Sequence, residues 1–198
     1  MLGRRGCRGA RCYSHPVRGR PLALLVAAGM AVSACSGGKP ASAPSTTRAP
    51  KPAGTLPAPI SVQVCSKEAQ REMASALGET AEVSASTWVD HRYACTYGYP
   101  TSTHAGSFEV AVKELSNWTD TYAYYDALAS HLGKSRDLES LGQAAFQATD
   151  GSVVVRKDWK VLLVDNTGLP AQFGEPSTSS ASVAVTVADV ILGCWAGD

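Results

Sequence analysis

The sequence predicts an α+β domain: an antiparallel sheet of about six strands with three helices, in the order α-β-β-β-α-β-β-β-α. Three observations predict it. Successive runs between Glu82 and Asp165 alternate apolar and polar residues with period two, the mark of half-buried strands. Two stretches carry apolar residues at helical spacing between a polar cap and a glycine. Asp150-Gly151, set between two apolar runs, is a strong tight-hairpin signal.

The first helix starts after Ser66, a good N-cap, with Glu68 near its positive end. Ala69, Met73, Ala76 and Leu77 share one face, and Gly78 supplies the stop. Three strands follow. Glu82–Val89 places Val83, Ala85, Thr87 and Val89 on one side; Arg92–Tyr99 alternates Tyr93, Cys95, Tyr97 and Tyr99 against small residues; Gly106–Leu115 alternates Phe108, Val110 and Val112 against Glu109, Ala111 and Lys113. Asn117 caps the second helix, with Asp120 three residues on. Its stripe is Trp118, Tyr122, Tyr125, Leu128 or Ala129, and Leu132, and Gly133 ends it. Three more strands are Ala144–Thr149, Ser152–Lys157 and Lys160–Asp165, the last two joined at Asp158-Trp159. Ala181–Leu192 fits either period; the Ser179/Ser180 cap and the Gly193 stop favour a helix. A short echo, Met73–Gly78 against Leu128–Gly133, precedes each set of three strands.

Charge divides the chain. The formal net charge is +1, but residues 1–34 carry six Arg and no acid, and 60–198 carry nine Lys/Arg against seventeen Asp/Glu. The part that folds is acidic, so nucleic-acid binding is disfavoured. Six Arg precede the apolar run Leu22–Ala34, too short to span a bilayer, and the pattern is that of a secretory signal peptide over 1–34. Residues 36–59 hold six Pro among Ala, Ser, Thr and Gly and read as a tether. The globular domain is 60–198.

The run ends Val32-Ser33-Ala34-Cys35, which resembles a bacterial lipobox. That resemblance implies cleavage before Cys35 and diacylglycerylation of its sulfur, leaving the domain lipid-anchored on the outer face of the cell membrane. Ordinary secretion, with Cys35 a thiol, is the alternative. With Cys7 and Cys12 removed and Cys35 acylated, Cys65, Cys95 and Cys194 remain in an oxidising compartment. Three cysteines allow one bond, Cys65–Cys95 or Cys65–Cys194. The layout, lipobox and cysteines together resemble small actinomycete secreted lipoproteins of a domain-of-unknown-function family, and more loosely the Mog1/PsbP-like fold. The resemblance implies the Cys65–Cys95 pairing. Closing such a loop contributes about 3–4 kcal/mol in the chain-entropy model.

Little in the sequence carries chemistry. Asp90-His91-Arg92 is the densest polar cluster and reads either as a general acid/base pair or as a polar hairpin turn. His104 falls in a loop and His131 on the second helix, with no C-x2-C or H-x3-H spacing, so neither a metal nor a cofactor is expected. Aromatics are the better hint. Tyr97, Tyr99 and Tyr124 are the candidate binding residues, since tyrosine joins apolar area to a polar tip. The expectation is a non-catalytic binding or accessory module of the cell envelope, held to the membrane by its lipid and meeting an envelope protein or ligand. An envelope hydrolase using Asp90/His91, or a carrier of an apolar envelope molecule, is the alternative.

Overall fold

The computed structural model describes residues 49–100 and 105–195. The chain enters through a short helix α1 (Pro59–Gln63), with proline in its first turn. In α2 (Lys67–Leu77), Ser66 Oγ accepts the Ala69 N–H at 3.1 Å, and Gly78 closes the helix in the left-handed region. Ala69, Met73 and Leu77 are buried, while Ala76 faces outward. In α3 (Trp118–Leu132), Asn117 Oδ1 accepts the Asp120 N–H at 2.9 Å, and Gly133 ends the helix. Ser179 caps α4 (Ser180–Cys194) through the Ser182 N–H at 3.2 Å.

The sheet has eight strands: β1 (Glu82–Val83), β2 (Thr87–Val89), β3 (Arg92–Tyr99), β4 (Gly106–Glu114), β5 (Lys134–Asp137), β6 (Ala144–Ala148), β7 (Val153–Lys157) and β8 (Lys160–Asp165). Their order is β1-β3-β4-β8-β7-β6-β5, with β2 also pairing β3, and every pairing is antiparallel. A two-stranded ribbon, β9 (Gln172–Phe173) with β10 (Thr178–Ser179), lies apart from it. The α+β class and the antiparallel sheet match expectation; the strand and helix counts are higher.

Each difference has a local cause. Glu82–Val89 is not one strand. The Ser84 N–H still donates to the Thr96 carbonyl, but Ser84 Oγ takes the Thr96 N–H at 2.9 Å, so the side chain replaces the return backbone bond and the edge breaks between β1 and β2. Its facing also changes along the run: Val83 packs on the core as expected, but Ala85, Thr87 and Val89 are exposed and Trp88 packs inward instead. The strand β5, Lys-Ser-Arg-Asp, has no apolar alternation because it is an edge with both sides wet. Gly193 does not stop α4. The helix continues to Cys194, where Trp195 is 1% exposed and its burial overrides the glycine signal.

Strand alternation builds three layers. Tyr93, Cys95, Tyr97, Tyr99, Phe108, Val110 and Val112 point toward α2 and α4, which pack together on that face. Phe146, Ala148, Val154 and Val161 point the other way, under Tyr125 of α3. The echo between α2 and α3 is therefore not a duplicated arrangement. A two-fold axis relating antiparallel halves runs perpendicular to the sheet and would keep both helices on one face. On α3 the buried positions are Thr121 and Tyr125, with Tyr124, Leu128, Ala129 and Leu132 half-buried; Trp118 and Tyr122, expected inward, face solvent. Among the described residues no helix is long and apolar enough to cross a membrane.

Candidate functional site

Asp90 and His91 form the two-residue turn between β2 and β3, at φ 49° and 57°, with Val89 paired to Arg92 across it. Two positive φ values in succession match the twist of a hairpin, and Asp tolerates this region better than most residues. The side chains face different tasks. His91 Nδ1 lies 3.0 Å from the Gly54 carbonyl oxygen, and its ring meets Trp88 edge-on at 5.7 Å. Lys113 Nζ donates to the Asp90 carbonyl. His91 thus holds the incoming chain, Asp90 bonds to β4 through its backbone, and the two are not gathered around a reacting centre. His131 is exposed in the last turn of α3, and His104 lies outside the described residues. Among the described residues no three His, Cys, Asp or Glu side chains form a metal-holding group.

The incoming segment is bound before residue 60. The Ala53 N–H donates to the Leu115 carbonyl at 3.0 Å, and Trp88 Nε1 donates to the Thr55 carbonyl at 3.0 Å. Glu114, 4% exposed, accepts the Ala58 N–H and the Ser61 hydroxyl on Oε1, both at 2.6 Å. These contacts turn part of the expected tether into a strap across the end of the sheet. The signal for it was Glu114, an acidic residue in an otherwise apolar-facing strand end.

Two of the three candidate binding tyrosines are corrected. Tyr97 is fully buried; its ring stacks on Phe108 at 5.1 Å and its hydroxyl donates to the Val64 carbonyl at 2.6 Å. Tyr99 is 2% exposed and meets Phe173 edge-on at 4.7 Å. Burial, reinforced by neighbouring Tyr99 and Tyr93 for the first and by Glu79 for the second, pushes both phenol pKa values well above normal. Tyr97 is closed off from any docking surface, and Tyr99 reaches only the edge of a shallow concavity. Tyr124 alone stays partly accessible, with Lys113 Nζ 5.8 Å from its ring; burial raises its pKa and Arg92 opposes the rise.

What sequence reading missed is the cluster beside it. Trp118 and Tyr122 stack at 5.7 Å on the outer side of α3, and the Arg156 guanidinium sits 4.3 Å from the Tyr122 ring and 5.9 Å from that of Trp118. Tyr125 is 5.7 Å away on the inner side. The rings present their negative faces to the cation. Arg156 Nε and Nη1 are buried without a hydrogen-bond partner. In sequence Arg156 reads as an outward residue of β7; only the crossing of α3 over that strand gives it aromatic neighbours.

Concavities are shallow. One of about 410 Å³ is lined by Glu82, Ser84, Thr96, Gly98, Tyr99 and Gly106. A neighbouring one of about 230 Å³ adds Ser107, Glu109, Asp165 and Thr167. Both lie on the part of the β3/β4 face that α3 leaves uncovered, where Gly98 contributes no side chain. Their hydroxyl and carboxyl lining can accept and donate hydrogen bonds; within it the Thr167 hydroxyl and its own N–H both donate to Asp165 Oδ1, at 2.7 and 3.0 Å, a local turn in which the carboxylate is engaged by its near neighbour.

Cys65 and Cys95 are joined, with Cα atoms 6.1 Å apart, tying the chain before α2 to β3. The Cys65–Cys194 alternative is thereby set aside; Cys194 lies half-buried in the last turn of α4. Cys35 lies outside the described residues. No protein-family model, curated protein or solved structure matches the chain.

Proposed function

We propose that the chain is an extracytoplasmic lipoprotein, acylated at Cys35 and held on the outer face of the cell membrane, whose folded domain is a non-catalytic binding or accessory module of the envelope. The observation that carries this reading is Val32-Ser33-Ala34-Cys35 at the end of a short apolar run. The Cys65–Cys95 disulfide supports an oxidising compartment. The resemblance to actinomycete secreted lipoproteins agrees with it. Acyl chains anchor because each buried CH₂ contributes about 0.8 kcal/mol, and two or more chains hold stably. The strap gives His91 a structural task, which supports a binding module over a hydrolase. Its partners are the membrane and an envelope protein or ligand, with no nucleic acid and no cofactor.

Intact mass and detergent partitioning of the native protein test the reading. The expected result is a chain beginning at a diacylglyceryl-modified Cys35 that enters the detergent phase, with Cys35→Ala left unprocessed and unmodified. A detergent-excluded chain starting at an unmodified Cys35 overturns it.

A further inference from the structure

We propose that the end of the sheet where the strap joins is a bilayer-docking surface, seated in the headgroup layer of an anionic membrane through Leu56, Val89, Trp118 and Tyr122. The proposal rests on the membrane-anchored reading only for what brings the domain to a bilayer.

The exposed large apolar side chains among the described residues are Leu56, Val62, Val89, Trp118 and Tyr122, at 77%, 40%, 63%, 36% and 48% exposure. All five belong to elements that converge at this one end. Leu56 is in the strap, between residues bonded to Trp88 and to Glu114. Val62 follows Ser61, which donates to Glu114 at the close of β4. Val89 precedes the Asp90-His91 turn, whose His91 carbonyl accepts the Glu114 N–H at 2.8 Å. Trp118 opens α3 three residues after Leu115, whose N–H donates to Trp159 in the β7–β8 turn at 2.8 Å. Tyr122 stacks on Trp118. The opposite end, marked by Tyr99, Gly106, Asp165 and the Asp150-Gly151 turn, carries none of them.

Their arrangement selects the occupant. They are spread across the breadth of the sheet from β2 to β7, four strand spacings or about 19 Å, and not pooled in a concave patch. A protein partner takes its energy from a few anchors at the centre of an interface. Separated apolar tips suit a flat, fluid surface that each enters independently, and Trp and Tyr are the side chains that settle at headgroup level. The strap itself joins the domain at this end, where the Ala53 N–H donates to the Leu115 carbonyl, and Cys35 precedes it in sequence.

Charge agrees. Lys113 and Lys157 donate to the backbone carbonyls of Asp90 and Trp195, and Arg156 lies over aromatic rings, so none of the three is neutralised by a carboxylate ion pair. Asp90, Asp120 and Asp158 balance these three cations in number, leaving the apolar tips the larger contribution. Glu82, Asp150 and Asp165 sit at the far end. The end that would meet anionic lipid is therefore less acidic than the far one, and the attraction of such lipid for its cations falls off within about a Debye length.

The test places the full chain on phosphatidylglycerol/phosphatidylcholine vesicles whose acyl chains carry bromine, and reads the tryptophan emission that Trp118→Phe removes. The expected result is quenching of that component by about twofold or more, falling to near zero on Leu56→Ser/Val89→Ser chains that keep their far-ultraviolet spectrum. On phosphatidylcholine alone the quenching should be weaker. A chain that floats with vesicles while Trp118 keeps its lipid-free emission overturns the proposal, as does a chain that does not float at all. Trp118 shielded without lipid in a species of twice the mass assigns the surface to a second copy instead. Intact mass separates the two readings: an unmodified Cys35 with Trp118 quenched overturns the lipoprotein reading alone, and an acylated chain with Trp118 unquenched overturns this one alone.

Discussion

Tyr97 and Tyr99 stand two residues apart on one strand, equally buried, yet their hydroxyls have opposite fates. That of Tyr97 donates to the Val64 carbonyl, whereas that of Tyr99 is buried with no partner. Removing one member of a buried hydrogen bond costs about 1–3 kcal/mol, while deleting an unpartnered hydroxyl costs nothing or stabilises. Urea unfolding should therefore show Tyr97→Phe destabilised by about 1–3 kcal/mol and Tyr99→Phe unchanged or slightly more stable. The same burial sets an alkaline limit. Tyr97, Tyr99 and Tyr125 have folded-state phenol pKa values raised above the ordinary 10.0, Tyr125 to about 12, chiefly by burial, with Asp137 adding to the rise and Arg156 opposing it. Groups so raised contribute stability that is fully present below pH 10 and is lost as pH climbs through their folded values, because the unfolded chain releases its protons first. Phenolate absorbance of these three should appear together with the loss of tertiary structure above pH 10, not before it. Sequence alternation identified the Tyr93–Tyr99 row but left its facing open, because both faces of this sheet are partly covered.

Helix ends and single bonds decide the elements. Gly78 holds φ 69°, and a Cβ there would lie 2.3 Å from the Glu175 carbonyl oxygen. Gly78→Ala combines left-handed strain with that clash, and thermal unfolding should register a loss of about 2 kcal/mol or more. The disulfide closes 30 residues around α2, β1 and β2. Cys65→Ser/Cys95→Ser should lose about 3–4 kcal/mol by chemical unfolding in the chain-entropy model, with non-reducing peptide mapping of the parent linking Cys65 to Cys95. Caps at Ser66, Asn117 and Ser179 were legible because their mechanism is local: a side-chain oxygen meets an N–H three residues on. The strand β5 and the ribbon β9–β10 were not, since pairing with a distant neighbour gives such short pieces their structure.

At the scale of the molecule, the strap joins the tether to the sheet. Glu114 is buried and takes donors from Ala58 and Ser61, so a chain lacking residues before Ile60 leaves part of that acceptor unmet. A chain starting at Ile60 should unfold at lower denaturant than one starting at Arg48, by about 2 kcal/mol or more, and Glu114→Gln should recover part of the difference. Equal midpoints would show that the strap contributes nothing to the domain. The layers place α3 across β6, β7 and β8, leaving the β3/β4 face with its shallow groove and setting Trp118, Tyr122 and Arg156 side by side.

By itself the sequence determined the α+β class, the antiparallel hairpins, three caps and the cysteines available to pair. Each is written in local periodicity, or in a turn whose chemistry sits within a few residues. Only the tertiary structure decided which tyrosines are core, which face α3 covers, and that scattered Leu56, Val89 and Trp118 share one end of the sheet. Those outcomes depend on strands distant in sequence coming into register, as Glu109 does with Asp165, and on the side from which a helix crosses them. A period-two pattern is the same whichever face a helix covers, so no local spacing encodes that choice.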